Sequence, residues 1–415
     1  MKKIALFFAS IAPGIFLIGY NIGTGSITTM AASGAAYGMS MTWPLLLSCV
    51  FTYILIVTFG RFTAITGLTA LHAFRIHFGS GVSLLVLASL LISEWVSCMG
   101  VMAIVVEVVK EWSRPLTRTG EGFSPLIMAA IFIGVLYYIF WQGKHRFFER
   151  VLAFFVAIMG LSFVMTMFMV IPDPVEIMRG MVPEIPRTSE KMLIMAGMVG
   201  TTMGGVLYVV RSILVQEKGW TAKDLKLERR DAGISAGLMF FLSAAVMAAA
   251  AGTLFPQGLK IDNAMDMVNL MEPLAGRFAV SVFVAGIVCA GLSSLFPNAL
   301  LAPWLLADFE GKPRDMKSTR SRILVLFGFS LGLVVPLFGG RPVYLMIVSQ
   351  AGTIIATPLI LILMQILLNK KSIMGEYTAS PAKNLTLGLI GIFTLLMAVA
   401  GATGLWEDIQ KLFQS

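Results

Sequence analysis

Charge is what this sequence has least of. Asp, Glu, Lys and Arg make up 13% of the 415 residues against 57% hydrophobic, and mean hydropathy is +0.87. A water-soluble domain of this length needs far more charge to clothe its surface, so an aqueous fold is excluded. Cysteine and histidine are nearly as scarce, with three of each. Cys49, Cys98 and Cys289 fall in apolar segments without C-x-x-C spacing, which implies neither a disulfide framework nor a soft-metal cage. His72, His77 and His145 lie in or near loops, out of reach of mid-membrane. No acid pair, Ser-His arrangement or metal triad occurs in the apolar runs, so neither an enzyme nor a resident cofactor is expected. The excess of 31 basic over 22 acidic residues is not a nucleic-acid footprint, which gathers its cations on one folded face.

What the chain does have is apolar length. Runs at 4–37, 44–66, 81–106, 123–141, 149–171, 192–214, 233–255, 275–299, 321–338, 343–368 and 384–404 are each long enough to cross a bilayer as a helix. Segments such as 45–57 and 244–251 are almost uniformly apolar, whereas barrel strands would alternate. The backbone must therefore bond within each segment, which makes this an all-α polytopic membrane protein of about eleven transmembrane helices. Most of the 31 basic residues fall in alternate loops, which marks those loops as cytoplasmic. The expected placement is an inner, cytoplasmic-type membrane with lipid as surroundings, the amino terminus inside and 405–415 as a short external tail. Residues 1–404 then form a single transmembrane domain. Pro13 and Pro358 fall within spans as candidate kinks, and 171–186 and 262–274 read as external loops with short surface helices. The stretch 224–230 reads as part of a cytoplasmic connection.

Two spans carry poor prescriptions for continuous helix. Asn21-Ile-Gly-Thr-Gly-Ser26 lies near the middle of the first, and Gly200-Thr-Thr-Met-Gly-Gly205 in the middle of the sixth. Each helical glycine costs about 1 kcal/mol relative to alanine. One reading is close helix packing through small residues. The other is a pair of interrupted helices at matched positions in two five-helix inverted repeats, about 4–171 and 192–368 with an eleventh helix at 384–404. Such interruptions free backbone groups to hold a solute. On the second reading Asn21, Gly23, Thr24, Gly25, Ser26, Thr201, Thr202, Met203, Gly204, Gly205 and Gln350 form the substrate site. Met203 reads as lining or packing rather than as a thioether ligand. Glu94 is expected to face the bundle, as a proton carrier, a cation's counter-charge or a neutral acid in one helix contact. Glu107 is close enough to the boundary to snorkel. Arg211, at the end of the sixth span, either lines an exit or anchors the helix.

The order and spacing of several motifs resemble the NRAMP-type (natural resistance-associated macrophage protein) divalent metal transporters over about 12–404. The motifs are Ala12-Pro13-Gly14, Ser33-Gly-Ala-Ala-Tyr-Gly38, Arg61-Phe-Thr-Ala-Ile-Thr-Gly67, Pro172-Asp173, Ala290-Gly-Leu-Ser-Ser294, Ser349-Gln350 and Met374-Gly-Glu376. The resemblance implies the LeuT-like inverted-repeat fold with discontinuous helices one and six. It also implies alternating-access transport of a small cation such as magnesium or manganese, with protons as a coupling partner. The metal-site residues depart from the family pattern: its Asp-Pro-Gly-Asn segment corresponds to Gly23-Thr24-Gly25-Ser26, and its Met-Pro-His segment to Gly204-Gly205-Val206. The resemblance places the family's proton-route acid on Glu94, a second nearby acid on Ser97 and a second histidine on Arg211. Loss of carboxylate and thioether weakens selection for manganese or iron, whereas a hydrated magnesium ion still suits a polar site. A small organic solute such as an amino acid, and a sensor that binds without transporting, are the alternatives. Replacing Gly23→Asp together with Ser26→Asn is expected to raise manganese affinity in calorimetry, and no gain would count against this alignment.

Overall fold

The computed structural model describes residues 23–143, 145–170, 173–186, 188–261, 263, 266 and 272–414. The first half of the first span, Asn21 and Pro13 included, lies outside them. The described residues are helical throughout: α1 (Thr24–Tyr37), α2 (Thr42–Thr66), α3 (Ala70–Phe78), α4 (Ser80–Ser113), α5 (Pro125–Gln142), α6 (His145–Met169), α7 (Pro174–Gly180), α8 (Ser189–Met203) and α9 (Gly205–Glu217). The second part of the chain continues with α10 (Leu225–Thr253), α11 (Glu272–Glu310), α12 (Thr319–Ser330), α13 (Val334–Phe338), α14 (Pro342–Ile355), α15 (Thr357–Asn369), α16 (Lys371–Met374) and α17 (Pro381–Gln414). Among the described residues nine helices are long and apolar enough to span, and α6 stands where the fifth span is expected.

Local chemistry sets several ends. Gly67 (φ 72°) and Gly143 (φ 66°) stop α2 and α5 in the left-handed conformation, where a side chain would be strained. Asp173 caps α7 by accepting the Val175 N–H, so the loop 171–186 carries the expected short helix. Most of 262–274 lies outside the described residues. Two boundaries differ from the sequence reading. The segment 224–230 is not a separate connection: a capping box at Thr221 and Asp224 launches α10, whose first turns bring Glu228 and Asp231 into the interior. The final helix runs on to Gln414 rather than ending at 404.

Burial orders the helices in layers. The apolar window of the sixth span, α8 and α9 together, is 100% buried, whereas that of α5 is 17% buried and presents Ile127, Ile131, Val135 and Tyr138 outward along one lipid-facing stripe. Around the sixth span, α8 packs on α14, α17, α2 and α1, while α1 lies chiefly against α10. A second layer pairs α4 with α11. Glycine sets the closest crossing: a Cβ on Gly34 of α1 would collide with the Met247 carbonyl of α10 and come within 2.8 Å of the Ala250 methyl. Gly34→Val is therefore expected to destabilise by about 1–3 kcal/mol through overpacking. Gly237→Ala, where a Cβ meets nothing within 4 Å, should leave the melting temperature of the detergent-solubilised protein unchanged.

Candidate functional site

The interruption of the sixth span is one residue wide. Gly204 adopts φ −57°, ψ 133°, which leaves the helix, and α9 resumes at Gly205. Ending α8 there deprives its last four carbonyls of their usual N–H donors. Three are satisfied by threonine hydroxyls from neighbouring helices: Thr353 donates to the Gly200 carbonyl (2.6 Å), Thr52 to Thr202 (2.8 Å) and Thr357 to Met203 (3.2 Å). The Thr201 carbonyl is left without a protein donor among the described residues. In the first span the described residues begin at Gly23, which is extended (φ −100°, ψ −171°); α1 starts at Thr24, its first intrahelical bond runs from Ile27 to the Gly23 carbonyl, and the half of the span before the expected break lies outside the described residues.

The two breaks face one polar cavity of about 30 Å³. A cavity of roughly 10–15 Å³ on this measure holds one water, so the space fits about two or three water-sized occupants, such as a small ion with one or two waters. The α1 start contributes Gly23, Gly25 and Ser26, and the sixth span contributes Gly200, Thr201, Gly204, Val206 and Leu207. Opposite them stand Glu94 and Ser97 of α4, Ser294 and Asn298 of α11, and Gln350 and Thr353 of α14. Ser97 joins three of these helices, accepting from Asn298 Nδ2 at 3.2 Å and Gln350 Nε2 at 3.4 Å. Gly25 admits the Gln350 amide, whose Nε2 would lie 2.6 Å from any Cβ there. Glu94, 2% exposed, is the one acid on the cavity wall.

Several expected site residues lie elsewhere. Thr24 is buried with its hydroxyl unpartnered, beside Gly291 rather than on the cavity. The Thr202 hydroxyl returns to the carbonyls of Met198 and Val199, Met203 is packed at 0% exposure, and Gly205 lies under Ile360. Arg211 is not among the residues lining this cavity and is held instead by two acids, Glu228 and Asp231. Asn298 and Thr353 escaped the sequence reading. Their signal is polar spacing on apolar helices: Ser294 with Asn298 at i, i+4, and Gln350 with Thr353 at i, i+3, each put two polar groups on one face.

Chemically, the described wall offers hydroxyl and amide side chains and one carboxyl group, that of Glu94. Among the described residues no three His, Cys, Asp or Glu come together as a metal cage. Such a donor set suits a small ion that keeps part of its water, not a transition metal stripped bare. The positive ends of two half-helices, α1 and α9, also open on the cavity.

Polar groups gathered inside a bundle of apolar helices, beside an interrupted span and the start of another helix, are an arrangement found in membrane proteins with discontinuous helices. The profile of the natural resistance-associated macrophage protein-like family matches residues 14–403, and the chain belongs to that family. It is similar to a divalent metal cation transporter of Nostoc, 25% identical over 384 residues covering 88% of this chain and 84% of the relative. The match to a like-named protein of Caldanaerobacter subterraneus is 22% identical and spans 66% of each chain, so the similarity covers just under two thirds of that relative's length. The manganese transporter of Eremococcus coleocola superposes with a TM-score of 0.76 over 96% of this chain and 87% of that one, at 13% identity.

Because the break depends on threonine donors, Thr353→Val should cost about 1–3 kcal/mol by leaving the Gly200 carbonyl unsatisfied. Thr386→Val, whose hydroxyl only returns to its own helix, should not shift the melting temperature. Equal shifts for the two variants would overturn this account of the break.

Proposed function

We propose that the chain is a secondary transporter that works by alternating access and carries a small, partly hydrated cation of the magnesium or manganese class across an inner membrane. The observation that carries this reading is the convergence of Glu94, Gln350, Asn298 and Thr201 on the cavity between Gly23 and Gly204. Glu94 supplies the single negative charge, and its protonation exchanges with the cargo's charge, which makes it the coupling group. Ser26, Thr201 and Gln350 contact the ion's water, and Gly204 is the hinge about which the second half of the sixth span moves. The amino terminus faces the cytoplasm and the carboxyl terminus the outside, as the basic loops dictate.

A second reading has its own support. Two helix starts at the cavity favour a carboxylate, as in an amino acid. The cavity's size disfavours an organic solute unless the helices part.

Uptake into proteoliposomes, compared for magnesium, manganese, calcium and neutral amino acids with and without a proton gradient, separates the two. Cation uptake driven by the gradient supports the first reading, and amino-acid uptake without cation uptake replaces it. Glu94→Gln is expected to abolish gradient-driven uptake while leaving the folded yield intact; unchanged uptake and unchanged acidification would remove Glu94 from the coupling role.

A further inference from the structure

An amide side chain carries a donor at one end and an acceptor at the other, and the neighbours of Gln350 decide which end faces which way. Its Nε2 lies 3.4 Å from Ser97 Oγ, 3.5 Å from the Met346 sulfur and 3.5 Å from Ser349 Oγ. A thioether can only accept. The Ser349 hydroxyl gives its proton to the Met346 carbonyl at 2.9 Å, so it too meets Gln350 as an acceptor. Only the NH2 end of the amide fits against such neighbours, and Oε1 is the end turned from them. The amide rests on α1 at Gly25, where a Cβ would come within 2.6 Å of Nε2 and 2.8 Å of the amide carbon, so bare backbone makes room for it.

Asn298 of α11 donates through Nδ2 to the same Ser97 oxygen at 3.2 Å. One hydroxyl of α4 thus accepts from two amides on two other helices. Two further hydroxyls of the wall also direct their protons into the protein: Ser294 donates to the Ala290 carbonyl at 2.9 Å, and Thr353 to the carbonyls of Gly200 at 2.6 Å and Gln350 at 2.7 Å. Gln350, Asn298, Ser294 and Thr353 therefore each commit a proton to the protein and keep oxygen lone pairs, and all of them line the cavity.

We propose that Ser97 is the positioning residue that gives this cavity its preference for a cation: by accepting from Gln350 and Asn298 together, it turns both amide oxygens towards the solute. The inference rests on the transporter reading of the same cavity and adds the residue that sets its selectivity. Oriented amide oxygens hold a hard cation directly, or accept from the outward-pointing hydrogens of its water. They repel the carboxylate that the starts of α1 and α9 would otherwise attract. Without the Ser97 oxygen either amide is free to rotate its NH2 into the cavity, where it opposes a positive charge.

Ser97→Ala in the full-length purified protein tests this. Calorimetry with magnesium and with manganese should show the Kd raised about tenfold, and adding Ser97→Ala to Gln350→Met should raise it further by only about threefold or less, because the side chain that Ser97 positions is already gone. A second readout needs no cation. In protein carrying isotope-labelled glutamine and asparagine, the side-chain NH2 signals of Gln350 and Asn298, assigned by their loss in Gln350→Met and Asn298→Leu, should shift and exchange faster with solvent in Ser97→Ala. Unchanged amide signals, or an equal loss of affinity with and without the Gln350 side chain, overturns the proposal and leaves cation transport standing. A wild type that binds neutral amino acids and no cation overturns both, and shows itself before any variant is made.

Discussion

Everything around the centre of this molecule depends on one constraint: backbone carbonyls cannot be left bare where there is no water. Turning the chain out of helix at Gly204 exposes four of them inside a fully buried span. Thr52, Thr353 and Thr357 answer three, and in doing so tie α2 and the two halves of the tenth span, α14 and α15, to the end of α8. Among the described residues the fourth carbonyl, that of Thr201, has no protein donor, and Thr201 is one of the residues that line the cavity.

The tenth span is bent to match. It is interrupted at Ala356, with Pro358 in the first turn of α15, so the kink expected from that proline takes the form of a restart. This places Gln350 and Thr353 before the interruption and Thr357 just after it, all facing the sixth span. Pro297 and Pro303 stand inside α11, the helix that presents Ser294 and Asn298. Interrupted or proline-bearing helices thus supply much of the polar wall, while α4 contributes Glu94 and Ser97 from an unbroken helix.

Charge is kept in two separate layers. Around the cavity there is, among the described residues, one acid, Glu94, among neutral polar groups. Towards Glu217 the sixth span is pinned far more heavily, by Arg211 with Glu228 and Asp231, by Ser212 accepting the Ala70 N–H, and by Gln216 donating to the Gly67 carbonyl. Breaking one partner of a fully buried ion pair costs about 3–5 kcal/mol, so this layer resists motion unless its charge changes.

The sequence by itself determined the class, the helical content and the position of the break in the sixth span. Long apolar runs leave the backbone only helices, and glycine clusters are legible because their cost does not depend on neighbours. It also singled out Glu94, since a lone acid in an apolar run has few places to go. Partnership was decided only by tertiary structure. Nothing local says that Thr353 would reach Gly200, that Thr202 would turn back on its own helix while Thr201 faced the cavity, or that 224–230 would deliver Glu228 to Arg211. These contacts join residues far apart in the chain, and their geometry follows from how helices cross, which the order of residues along any one helix does not contain.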